Sequence, residues 1–143
     1  MLIGIPRVLS PGLVAVMMEM GHGDELVVGD ANFPAYSIAR AVRSQVIRAD
    51  GVGVVEMLDA VLQLMPLDYA VNDPVVGMFK PDGQVPIHDE FRQVLALRGY
   101  GSEKMKLISK ADFYARAGLT YAVVVTGESA RFANLIIKKG VIG

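Results

Sequence analysis

The apolar residues of this chain fall into short runs that alternate between a helical and an extended spacing, with glycine, proline or aspartate at most boundaries. Ser10 and Pro11 open the first helix, because a serine side chain can accept from free backbone N–H groups and proline is tolerated at the first helical position. Leu13, Val14, Val16, Met17 and Met20 mark one face of it, and Gly21 ends it. Leu26, Val27 and Val28 read as a short buried strand closed by Gly29 and Asp30, with Asn32, Phe33 and Pro34 as loop. The next strand covers 45–49 and stops at Asp50 and Gly51. Val54, Val55, Leu58, Val61, Leu62 and Met65 then follow a helical spacing, which Pro66 cannot continue. Further on, the pattern predicts strands over 75–79, 105–108, 121–125 and 134–137, a turn from Lys80 to Gly83, and helices over 86–97 and 111–117.

Short extended runs interleaved with helices of about three turns predict a single α/β domain over 1–143, built as three α/β/α layers with a largely parallel sheet covered on both faces. In such sheets ligands collect at the C-terminal ends of the strands. Composition agrees: 143 residues with 52% hydrophobic and 20% charged make one domain's worth of chain, able to build a core without disulfides or structural metal. A mean hydropathy of +0.40 is high for so short a chain and predicts a buried subunit interface.

Charge and chemistry narrow the partners. Fourteen Lys and Arg against fifteen Asp and Glu leave a formal charge of -1, with no positive field to attract nucleic acid. The absence of cysteine removes thiol chemistry, and two histidines cannot supply a structural zinc site. No run approaches the ~20 apolar residues of a membrane-spanning helix, and the start of the chain has no leader pattern. The expectation is a soluble cytoplasmic protein without membrane or nucleic-acid partners.

The densest polar cluster is Gly21-His22-Gly23-Asp24-Glu25, between the first helix and the first strand. Flanking glycines let the backbone approach a ligand closely, and histidine is the side chain that ordinarily titrates near neutral pH. On spacing alone, a surface turn with Asp24 and Glu25 solvated competes with an acid/base role for His22. Asp30, where the strand ends, could hold hydroxyl groups or orient an imidazole, or serve as a turn aspartate. His88, beside Asp89 and Glu90 in a first helical turn, reads as a solvated surface residue. Gly51-Val52-Gly53 lacks the third glycine of a dinucleotide fingerprint, where Glu56 stands, and Gly127-Glu128-Ser129 lacks the lysine and spacing of a phosphate loop. No serine-nucleophile motif is present.

The blocks EMGHGDELVVGDANFPA (19–35), VIRADG (46–51), LMPLD (64–68), FYARA (113–117) and TGESARFANLIIKKGV (126–141) resemble, in order, the RbsD/FucU family, and within it the fucose mutarotases more than the ribose pyranases. The resemblance implies interconversion of the anomers of a free reducing sugar, with no cofactor and no metal. It puts His22 on the family's catalytic histidine and Asp30 on its sugar-binding aspartate. Lys110 falls where the family has an arginine or histidine, and keeps a donor without the planar fork. Phe132, Ala133 and Asn134 fall on a Tyr-Gly/Ala-Asn sugar-binding element, so Phe132 lacks the tyrosine hydroxyl. The resemblance further implies a ring-shaped homodecamer with sites where neighbouring subunits meet. Arg48 and Asp50 read as structural. Two alternatives stay open: another monosaccharide such as D-ribose as substrate, or a sugar-binding module without turnover, for which Phe132 is the hint.

Overall fold

The computed structural model describes residues 2–42 and 44–143; Met1, the first residue of the expected domain, and Arg43 lie outside the described residues. In chain order the elements are α1 (Pro11–Glu19), β1 (Glu25–Gly29), α2 (Ala35–Val42), β2 (Gln45–Ala49), α3 (Val54–Leu64), β3 (Val75–Met78), α4 (Ile87–Leu97), a 3-10 turn at Ser102–Lys104, β4 (Met105–Ile108), α5 (Lys110–Ala117), β5 (Ala122–Thr126) and β6 (Leu135–Lys138). The local signals act as expected. Ser10 caps α1 by accepting from the Leu13 N–H, and Ser109 caps α5 by accepting from that of Asp112. Gly99, after α4, takes a φ of +82° that a side chain would resist. The one helix absent from the expected set is α2, which buries the small side chains Ala35 and Ala39 and packs Ile38 beside them.

The six strands form one sheet in the order β2-β5-β1-β6-β3-β4. Five of them run parallel and β6 runs against both its neighbours, pairing Val28 with Leu135 and Glu25 with Lys138 across β1. The expected parallel sheet is therefore mixed. Strand residues alternate between two cores. Leu26, Val28, Val124, Leu135 and Ile137 face α1, α3 and α4, where Leu13, Met57, Leu58 and Phe91 are buried. Val27, Val123, Val125 and Ile136 face α2 and α5, with Phe33 and Phe113. Helices thus cover both faces, as the three-layer expectation required. Among the described residues, no helix is long and apolar enough to cross a membrane.

The reversed β6 decides what meets at the sheet edges. Its N-terminal end lies beside the C-terminal ends of β1 and β3, so Phe132, Ala133 and Asn134 arrive next to Asp30. Its C-terminal end lies beside the start of β1, next to the His22 loop. Gly29 permits a close approach at the first edge, since a Cβ there would sit 2.7 Å from the Phe33 Cβ.

Candidate functional site

At the C-terminal edge of the parallel strands a polar cavity of about 310 Å³ opens, with Asp30, Asn134, Phe132 and Lys110 in its walls. That volume is at the small end for ligand pockets. Asp30 is only 5% exposed, at the end of β1. Its backbone N–H donates to Asn134 Oδ1 at 2.8 Å, while its Oδ2 accepts from Asn134 Nδ2 at 3.0 Å and its Oδ1 accepts from the Asn32 N–H at 2.9 Å. The reciprocal pair fixes which way the Asn134 amide points. Burial pushes the Asp30 carboxyl above its ordinary range, against the donors of Asn32, Asn134 and Ala133 that favour the charged form, and the charge of Glu128 adds to the rise.

Lys110 is exposed at the first turn of α5, with Nζ 5.5 Å from the centroid of the Tyr114 ring one turn on. Phe132 is half-buried with a φ of +61°, a left-handed conformation that costs a non-glycine residue about 1–3 kcal/mol. Its carbonyl oxygen accepts from His88 Nε2 at 3.0 Å. His88 is 3% exposed, which corrects the expectation of a solvated residue. The residue lies one turn before Phe91 on the buried stripe of α4, and Asp89 and Glu90 face away. Burial depresses its pKa, against the carbonyl of Phe132. Ala133 is fully buried, so it offers the site its backbone alone.

His22 lies elsewhere. It precedes β1 while Asp30 follows it, and a strand of that length separates them by about 20 Å at ~3.3 Å per residue. The His22 side chain is 53% exposed, with Nε2 3.2 Å from Oδ2 of the buried Asp68. The other Asp68 oxygen accepts from the Ala70 N–H at 2.9 Å, and this bond together with His22 and Lys138 holds the carboxyl below its ordinary range despite burial. The end of β6 shapes this loop. Lys139 donates through Nζ to the Met17 carbonyl at the end of α1 (2.7 Å), and its own carbonyl accepts from the Gly23 N–H (2.8 Å). Within one chain, then, Asp30, Lys110, Phe132 and Asn134 come together and His22 does not join them.

Three residues at these places were not singled out in the sequence. Asp68 stands in the LMPLD block and Tyr114 in FYARA, the latter one helical turn after Lys110, a spacing that could have found it. Arg131 borders the cavity as an exposed cation. Arg48 and Asp50 pair with each other on the surface. A larger groove of about 730 Å³ lies between α3 and α4, lined by the carboxylates Glu56, Asp59, Glu90 and Glu128 and by Arg131 among apolar side chains. Among the described residues no three His, Asp or Glu side chains converge as a metal site.

Comparison with known proteins identifies the family. Residues 3–142 match the RbsD / FucU transport protein family. A fucose mutarotase of Danio rerio is 47% identical over 97% of this chain and 93% of its own length. An L-fucose mutarotase of Actinobacillus pleuropneumoniae is 42% identical over 99% of this chain and 97% of its own. The crystal structure of the Streptococcus pneumoniae fucose mutarotase in complex with L-fucose superposes with a TM-score of 0.92 at 41% identity, over 99% of this chain and 100% of that one. Matched in sequence and in fold over nearly its whole length, the chain belongs to the RbsD / FucU family.

Proposed function

We propose that this chain interconverts the α and β anomers of L-fucose, the whole of 1–143 working as one cofactor-free isomerase domain. The observation that carries the reading is the Asp30–Asn134 pair in a small polar cavity, in a chain similar over its full length to fucose mutarotases. Ring opening removes the proton of the anomeric hydroxyl and delivers one to the ring oxygen as their shared carbon releases that oxygen. The open aldehyde then turns about its bond to the next carbon and recloses with the opposite configuration. Acid/base groups suffice for this.

On this reading Asp30 accepts from sugar hydroxyls, Asn134 donates and accepts, and Lys110 donates. Phe132 lies against the apolar face of the ring, and Ala133 lends its backbone. His22 moves the protons. With its Nε2–H donating to Asp68, Nδ1 is the nitrogen left to exchange them.

The reading joins His22 of one copy to the Asp30 cavity of the next, in a closed ring of identical chains, a homodecamer, where opposite edges of one subunit meet. Two features support a shared site: the half-sites stand about 20 Å apart within a chain, and exposed Met18, Leu64 and Ile142 share a groove with Lys139 beside the His22 loop. The compartment on this reading is the cytoplasm.

Saturation-transfer NMR on L-fucose tests it. His22→Ala and Asp30→Ala should each lose anomer exchange. Rings co-assembled from equal amounts of the two variants should regain about a quarter of the wild-type rate, because one interface in four then carries both intact groups. No recovery would sink the shared site, and wild-type exchange by His22→Ala would sink the role of His22. The missing hydroxyl at Phe132 favours a second reading, a sugar-binding module, which binding of L-fucose without exchange by the wild type would establish. Exchange of D-ribose in place of L-fucose would move the substrate.

A further inference from the structure

We propose that His88 is a positioning residue for the sugar cavity: its Nε2–H donates to the Phe132 carbonyl from inside the fold, and so holds the left-handed turn that carries Phe132 and Asn134 to the ligand. The inference rests on the reading of the Asp30 cavity as a sugar site. The chain of contacts is short. His88 stands on the second residue of α4, nearly buried, and the carbonyl it meets at 3.0 Å belongs to a residue whose backbone conformation aromatic side chains rarely adopt. Two residues on, Asn134 makes the reciprocal pair with Asp30. A turn that relaxed toward ordinary angles would swing the Phe132 ring and shift Asn134 against a partner that tolerates little displacement.

A carbonyl oxygen only accepts, so Nε2 must carry the proton. The surroundings suit a neutral ring. Asp89 and Arg92 flank it from α4, Lys80 and Gln84 come from the loop after β3, and the faces toward β3 and β4 are Gly77 and Leu107. Gly77 borders the imidazole, and a Cβ there would stand 3.8 Å from His88 Nε2, an ordinary contact distance. Phe91, whose ring centroid is 5.9 Å away, packs against the imidazole.

Two variants separate the donor from the bulk of the side chain. Gln can present an amide N–H at the reach of Nε2, and Leu fills space with no donor. L-fucose affinity should fall about three- to tenfold in His88→Leu, as loss of one neutral hydrogen bond implies, and stay within about twofold of wild type in His88→Gln. In exchange kinetics the Leu variant should raise KM while kcat holds. Unchanged affinity in His88→Leu overturns the proposal, as does an equal loss in both variants. Should the Leu variant fail to fold, ¹⁵N-histidine NMR of the wild type decides, because the chain has only two histidines and His22→Ala assigns them. A neutral His88 with its proton on Nε2 at pH 7 sustains the proposal, and a proton on Nδ1 overturns it. Asp30→Ala measured in parallel isolates the premise. If it binds L-fucose like wild type, the cavity is not the sugar site; if it loses binding and His88→Leu does not, the role of His88 alone falls.

Discussion

Removing Asn134 should cost more stability than its single side chain suggests, because it serves two atoms of Asp30 at once. Asn134→Ala deletes the bond from Nδ2 to the Asp30 carboxylate and leaves the Asp30 N–H without its acceptor. Both residues are 5% exposed, so solvent screening is slight. A hydrogen bond to a charged group contributes about 1.5–3 kcal/mol and a neutral one about 0.5–1.5, which gives roughly 2–4 kcal/mol for Asn134→Ala. Asp30→Ala removes the acceptor of Asn134 Nδ2 and of the Asn32 and Ala133 N–H groups, but it keeps the backbone N–H bond to Asn134 and relieves a buried carboxylate, which offsets those losses. One bond is counted in both single variants, and the double variant should therefore fall short of their sum by about 1.5–3 kcal/mol. Urea unfolding at one fixed protein concentration, with equal slopes, measures all four species. If the two losses add to within about 0.5 kcal/mol, the sites are independent and the reciprocal pair does not exist in solution.

Three further outcomes are expected. Phe132→Tyr should tighten L-fucose binding by about two- to tenfold in calorimetry if the ring faces the sugar, since it restores one neutral hydrogen bond; no change means that position 132 does not meet the ligand. Gly29→Ala should lower stability by about 1–3 kcal/mol in urea unfolding, because the new Cβ would overlap the Phe33 side chain, 2.7–2.9 Å away. On acidification, burial of His88 makes its contribution to stability full above its ordinary pKa of 6.5 and lost as pH falls through the lowered native value. The urea midpoint of wild type relative to His88→Gln should therefore rise with pH across that window and be level on either side of it; a difference independent of pH would contradict the burial.

Most of the fold was legible because its signals are local. The strand 45–49 and the strand 105–108 are bounded in the sequence as they are in space, each by turn residues that act within a few positions. α2 went unread although Ala35, Ile38 and Ala39 follow a helical spacing against the core, because the segment is only eight residues long and follows directly on the loop signals of Asn32, Phe33 and Pro34. The direction of β6 is a matter of topology, and an apolar run of four residues reads alike in either direction. His88 was misjudged from its charged neighbours, although its spacing to Phe91 and Leu95 is that of a buried helical stripe. The candidate site residues were named through resemblance rather than periodicity. Resemblance named His22 and Asp30 together and implied sites between subunits; the backbone adds that β1 holds the two residues at opposite ends of one chain.

The central strand pair also constrains how such a protein can change. β1 and β6 are zipped residue against residue, with the Asp30 cavity at one end of the pair and the His22 loop at the other, so the span between them is set like a ruler by the number of strand residues. One residue inserted in β6 would turn every following side chain to the opposite core and carry the Lys139 end away from the His22 loop. With the sugar held in the Asp30 cavity as proposed, a new preference is open to this scaffold by substitution at the tips, in the turn at 131–133 or at the start of α5, while insertions or deletions within the central strands would disturb both cores.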